Sequence, residues 1–223
     1  MSIANNIAKV RERISAAAHR AGVDESGITL IAVTKTMDTD TVREAIEAGA
    51  TDIGENYVQE SVAKFGEIGP VVRWHMIGHL QTNKVRQVVP IFDLIHSVDS
   101  LELALEIGKR SENIAKRMPV LVEVNISGEE SKFGVEPDQA GDFCAQIASI
   151  EGIELCGLMG MAPFVDDPDA VRRSFRRLRK LWEELPEPNR RYLSMGMTSD
   201  FEIAIEEGSN MVRVGTAIFG PRK

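Results

Sequence analysis

Lys35 is the residue of this chain with the clearest chemical reach. It follows Ile31 and Val33 at steps of two, so in an extended strand the three side chains share one face. A lysine amine held against apolar walls has its pKa lowered and becomes a nucleophile toward aldehydes by Schiff-base formation. The ordinary alternative is a lysine whose stem covers a strand end while its ammonium reaches water. A second group stands near the carboxyl terminus. Tyr192-Leu-Ser-Met-Gly-Met-Thr-Ser supplies hydroxyls, Ser194 among them, and a backbone open to close approach at Gly196. Val212-Arg-Val-Gly-Thr-Ala adds Gly215 and Thr216. Such groups grip phosphate at strand ends, although the same glycines would also serve as tight packing positions. An imine-forming lysine and a phosphate grip at one mouth suit an aldehyde that bears a phosphate. Pyridoxal phosphate is the common cofactor of that kind, and the substrate of a sugar-phosphate aldolase is the alternative.

The elements that would position these residues follow a strand-then-helix grammar. Residues 28–34 are short and β-branched, and 38–48 place Val42, Ala45 and Ile46 at helical spacing before Gly49. Further strands are expected at 51–54, 72–77, 92–98, 120–126, 154–161, 191–195 and 211–215, each but the last preceding a helix. Asp99 or Ser100 can cap one helix, Pro137 can open another, and Ser199-Asp-Phe-Glu202 reads as a capping box. Before them all, Ile3, Ile7, Val10, Ile14 and Ala17 mark an amphipathic amino-terminal helix, interrupted by charge as a signal peptide is not. Eight strands separated by helices call for parallel pairing and right-handed crossovers. The expected fold is a single α/β domain over residues 1–223, a (β/α)₈ TIM barrel with an extra N-terminal helix and its site at the carboxyl ends of the strands. A doubly wound sheet would carry a glycine-rich turn after its first strand, and Val33-Thr-Lys-Thr-Met has none.

Composition narrows the partners. The 223 residues carry a net charge of −8, which lowers the expectation of nucleic-acid binding and favours a small-molecule ligand. No apolar run is long enough to cross a bilayer. Cys144 and Cys156 lack metal-ligand spacing and read as buried thiols in a reducing cytoplasm. His75, with no carboxylate beside it in sequence, reads as a satisfied barrel histidine. Glu123 and Asn125 share one face of the fifth strand and, if inward, need partners. The basic segment from Arg172 to Trp182 has an apolar stripe of Val171, Phe175, Leu178 and Leu181, so its charges form an outer face.

Six stretches taken together resemble the pyridoxal phosphate homeostasis protein family, single-domain relatives of the alanine racemase barrel. They are Ala32-Val-Thr-Lys-Thr, Gly54-Glu-Asn-Tyr-Val-Gln-Glu, Trp74-His-Met-Ile-Gly-His-Leu-Gln-Thr-Asn-Lys, Lys132-Phe-Gly, Ser194-Met-Gly-Met-Thr-Ser-Asp and Met211-Val-Arg-Val-Gly-Thr-Ala-Ile-Phe-Gly. The resemblance implies that Lys35 carries pyridoxal 5'-phosphate as a Schiff base, that Ser194, Gly215 and Thr216 hold its phosphate near Gly196, that Asn56 borders the ring, and that Arg213 faces the pyridine nitrogen. Asn56-x-x-Gln59 also reads as a helix cap. His79 stands where other members have proline, and Thr198 where serine is frequent. An arginine only donates hydrogen bonds, so a ring nitrogen facing it stays unprotonated and the ring is a weak electron sink. With no second domain to close the mouth, the implied role is vitamin B6 and amino-acid homeostasis without fast catalysis, in a cytoplasmic monomer that holds the cofactor, meets free amino acids and supplies apoenzymes. A slow racemase or lyase is the alternative, and a partner-binding adaptor would need an exposed apolar patch.

Overall fold

The computed structural model describes residues 2–129 and 133–221, so Lys132 of the Lys132-Phe-Gly motif lies outside the described residues. Eight parallel strands pair in chain order and close on themselves: β1 (Thr29–Val33), β2 (Asp52–Glu55), β3 (Arg73–Met76), β4 (Leu94–Val98), β5 (Met118–Val124), β6 (Ile153–Gly160), β7 (Tyr192–Ser194) and β8 (Met211–Val214). The closing pair sets Ile31 of β1 opposite Arg213 of β8. Helices α1 (Ile3–Ala21), α2 (Thr39–Glu47), α3 (Val58–Ile68), α4 (Val85–Val88), α5 (Leu101–Glu112), α6 (Ala140–Ala148), α7 (Pro168–Glu183), α8 (Phe201–Glu206) and α9 (Thr216–Phe219) surround the strands. No helix among the described residues is long and apolar enough to cross a membrane.

The amino-terminal helix forms as its spacing predicts. Ser2 Oγ caps it by accepting the Asn5 N–H, Gly22 ends it at φ +67°, and Ile7, Val10, Ile14 and Ala17 are buried against Phe201, Ile205 and Ile218. The main apolar core lies between the outer faces of the strands and the helices. Trp74 is fully buried there, edge-on to Phe65 and Phe92, with its indole N–H donated to the Gly69 carbonyl. The barrel interior is different. Ile31, Leu94, Leu121, Cys156, Met159 and Met211 form one small inner cluster. The buried Asp52, His75, His96, Glu123, Ser194 and Arg213 occupy these same inner faces, with His96, Glu123 and Arg213 each two residues along a strand from a member of that cluster. A barrel interior is ordinarily filled by branched apolar side chains, so buried polar groups there need both partners and a reason.

Local details depart from the expected boundaries. Pro137 does not open α6, which begins at Ala140. Val135 continues the β5 ladder by exchanging backbone hydrogen bonds with Glu123 and Asn125, and this keeps the chain extended for longer. The Ser199–Glu202 capping box does not form. Asp200 is the N-cap, its carboxylate turns back to the Met197 N–H at 2.6 Å, and Glu202 pairs with Arg13 at 2.8 Å. Ser100, not Asp99, caps α5. The apolar stripe of α7 is buried at Val171, Phe175 and Leu178, while Arg172 and Arg176 bind Glu206 and Glu207 of α8. Both cysteines are free and buried, and burial pushes the Cys144 thiol up to about 12 and Cys156 up to about 11.

Candidate functional site

Lys35 sits half-buried in the turn that follows β1, at the carboxyl end of the barrel. The next residue, Thr36, has φ +65°, a conformation costing a β-branched residue about 1–2 kcal/mol. An ion cluster holds the turn on both sides. Lys64 of α3 donates to the Thr34 carbonyl at 2.7 Å, to Glu55 Oε1 at 2.8 Å and to Glu60 Oε1 at 2.5 Å. Glu60 accepts the Thr36 N–H at 2.6 Å, and Glu55 accepts the Thr34 hydroxyl at 2.7 Å. Burial raises the Glu55 pKa against the opposing pull of Lys64 and Thr34. The backbone on either side of Lys35 is thus fixed from β2 and α3.

Arg213 projects into the interior from β8 and is 4% exposed. Its Nη1 donates to the Ser194 carbonyl at 2.9 Å and to Ser194 Oγ at 2.5 Å, and its Nη2 to the Gly160 carbonyl at 3.1 Å. A guanidinium has five N–H donors, and these bonds occupy at most three, leaving Nε–H and one Nη2–H without partners among the described residues. Burial brings its pKa down to about 10, against Glu123 and Asp200, so it remains a cation near neutrality. Ser194 is fully buried and engaged by Arg213 and by His96 at 3.1 Å. Its hydroxyl therefore reaches the site through Arg213 and does not stand among the loop groups with Gly215 and Thr216.

Asn56 is the next inward residue beyond Gly54 on the β2 side, and its Oδ1 is buried with no partner among the described residues. The expected helix cap does not exist, because α3 starts at Val58 and Tyr57 is its N-cap. Gly78 explains how Asn56 is held: a Cβ there would lie 2.6 Å from the Asn56 carbonyl oxygen, so only glycine lets the chain after β3 approach so closely. Gly196, at φ +94°, lets the β7 loop lie on α8, where a Cβ would meet Ala204 at 2.5 Å, and its carbonyl accepts the Arg213 N–H at 3.0 Å. Gly215 lies against Val33 and is the N-cap of α9, so the first amides of that turn, including that of Thr216, start beside the β1 end. Lys35, Asn56, Gly196, Arg213, Gly215 and Thr216 thus gather at the carboxyl ends of β1, β2, β7 and β8.

Asp52 and His96 complete the interior and were not singled out by sequence. His75 Nε2 meets Asp52 Oδ1 at 2.9 Å, and His75 Nδ1 meets His96 Nε2 at 3.0 Å. The partners missing from His75 in sequence come from neighbouring strands, and the signal that could have found them is the inward parity of β2 and β4. Glu123 and Asn125 do face inward. Asn125 is satisfied by the Glu129 carbonyl and the Ser127 hydroxyl. Glu123 is raised to about 7 by burial and by Asp99, with Arg213 opposing. At the rim, His79 stacks on Phe133 with ring centroids 3.9 Å apart and lies 3.6 Å from Asp99.

The alanine racemase N-terminal domain family matches residues 2–223. A pyridoxal phosphate homeostasis protein of Aquifex aeolicus is 41% identical over the full length of both chains. One of Escherichia coli is 42% identical over 99% of this chain and 97% of its own. The structure of PipY from Synechococcus elongatus with PLP bound superposes with a TM-score of 0.84 at 31% identity, covering 98% of this chain and 100% of that one.

Proposed function

Because the chain belongs to the pyridoxal phosphate homeostasis protein family, we propose that it holds pyridoxal phosphate on Lys35 at the barrel mouth. It buffers or delivers the cofactor in the cytoplasm as a single-domain monomer, without fast catalysis. The observation that carries this reading is Arg213, a buried cation at the carboxyl end of β8 with two donors not used by the described residues, together with Asn56 beyond β2, whose Oδ1 is buried and unbonded among them. A buried acceptor without a partner, such as Asn56 Oδ1, is costly unless a ligand completes it. The pattern of the two residues suits a ring with one acceptor nitrogen and a hydroxyl donor.

Bound there, the group would supply an aldehyde, the chemistry toward which the Lys35 amine is proposed to be the nucleophile. The protein's own residues do the rest. Arg213 would donate to the ring nitrogen, Asn56 would border the ring, and the amides and hydroxyl of the 215–216 turn together with the Gly196 loop would bind the phosphate. Arg213 cannot give up its proton at neutral pH, so the nitrogen stays unprotonated and proton abstraction from an amino acid gains little from the ring. One feature favours the slower-enzyme reading: Glu123 is buried on the inner face of β5 with its pKa raised to about 7, in the range a general base needs. Absorbance titration with pyridoxal phosphate tests the main reading. Arg213→Ala should weaken binding at least tenfold, about 1.4 kcal/mol, and pyridoxal lacking its phosphate should bind much more weakly than the phosphate ester. Unchanged affinity in the variant would contradict the placement of the ring.

A further inference from the structure

A single line of hydrogen bonds runs from Arg213 through the barrel axis to its opposite end. Arg213 Nη1 lies 2.5 Å from Ser194 Oγ, Ser194 Oγ 3.1 Å from His96 Nδ1, His96 Nε2 3.0 Å from His75 Nδ1, and His75 Nε2 2.9 Å from Asp52 Oδ1. All five residues are at most 4% exposed. Asp52 closes the line at the amino-terminal face, where Arg73 Nε binds its Oδ1 at 2.8 Å and Thr51 Oγ1 donates to its Oδ2 at 2.7 Å.

The two ends dictate the direction of every bond between them. A guanidinium has no acceptor, so Ser194 Oγ accepts from Arg213 and its one proton is left for His96 Nδ1. That nitrogen is then bare, and the His96 proton sits on Nε2, from which it is donated to His75 Nδ1. His75 in turn carries its proton on Nε2 and donates it to Asp52, an ionised carboxylate that only accepts. Burial would raise the Asp52 pKa, but hydrogen bonds from His75 and Thr51 and the Arg73 charge bring it below the ordinary carboxylate value. His96 is held neutral because burial and then the Arg213 charge push its pKa well below the usual imidazole range. Reversing the line would leave the Ser194 proton with no acceptor among the described residues. Cation at one end and anion at the other leave one consistent order.

We propose that Asp52, His75, His96 and Ser194 act as one directional hydrogen-bond relay that fixes the Arg213 guanidinium as a donor into the barrel mouth, with the histidine tautomers set from the opposite face. The four are positioning residues for Arg213. The consequence for ligand binding rests on the reading that the mouth holds pyridoxal phosphate, whereas the order of the relay does not.

Nitrogen-15 NMR of histidine-labelled protein without ligand reads the relay directly. The parent protein should show His75 and His96 both neutral with the proton on Nε2 at neutral pH, and a proton on Nδ1 of either would overturn the proposal. Asp52→Asn keeps an acceptor oxygen and should leave both rings unchanged. Asp52→Ala removes it and should shift the His96 nitrogens, two hydrogen bonds away; a change confined to His75 would overturn the relay. Should Asp52→Ala not fold, Ser194→Ala reads the line from the other end and should shift His75. Loaded with pyridoxal phosphate, Asp52→Ala should show an absorption band displaced from that shared by the parent and Asp52→Asn. An identical band in all three would overturn the link to Arg213. A parent protein that takes up no chromophore would instead remove the cofactor reading, with the tautomer order still decided by NMR.

Discussion

Single residues carry the chemistry here, and their protonation is set by burial more than by charge count. Glu123 illustrates the sign. Its pKa in the folded protein is raised from 4.5 to about 7, so folding favours the protonated form. Stability associated with that proton is fully present below pH 4.5 and is lost as the pH rises through about 7. Glu123→Gln removes the ionisation, so the variant should gain on the parent by up to about 3 kcal/mol between pH 4.5 and pH 8. Denaturant melts at the two pH values measure it, and a pH-independent difference would contradict the assignment. The position of Lys35 just after β1 was legible in sequence because Val33 and Ile31, two and four residues before it, mark that strand. His96 and Asp52 were not, because each meets His75 from another strand, about twenty residues distant. Ser194 was found for the right neighbourhood but for a different contact, since only the folded barrel shows its hydroxyl turned inward to Arg213.

At the scale of elements, the device that matters most for the site is the tie between α3 and the turn after β1. Lys64, 4% exposed, is the common donor to Thr34, Glu55 and Glu60. Removing one partner of a buried ion pair strands the other, so Lys64→Met should cost about 3–5 kcal/mol of stability. Adding Glu55→Gln to that variant should restore part of the loss. Denaturant unfolding of the two proteins checks this, and a loss below about 0.5 kcal/mol in the single variant would show that the cluster does not hold the turn. The existence and order of the elements were legible from their periodicity, whereas their ends were not. Pro137 was a fair helix-opening signal, yet Val135 pairs with β5 and delays α6 to Ala140. Likewise the Ser199–Glu202 spacing was right for a capping box, but Arg13 of α1 claims Glu202. Long-range contacts won over local signals in both places.

The whole molecule is a closed barrel whose interior is partly polar. The alternation of strand and helix made the barrel readable, and the loop glycines marked the mouth; the polar interior becomes visible only when eight strands are set in register. The proposed placement of Arg213 at the ring nitrogen would make chemistry on amino acids slow. Incubating the loaded protein with alanine in heavy water should show α-hydrogen exchange by NMR far slower than an ordinary turnover of about 10 per second. Exchange at enzyme-like rates would promote the racemase or lyase reading and give Glu123 the role of base. Borohydride trapping tests whether Lys35 bears the cofactor. The protein is loaded with pyridoxal phosphate, reduced with borohydride, digested and mapped by mass. A single pyridoxyl adduct on Lys35 is expected, with the reducible chromophore lost in Lys35→Ala. An adduct on Lys84 or Lys132 in its place, with Lys35 unmodified, would contradict it.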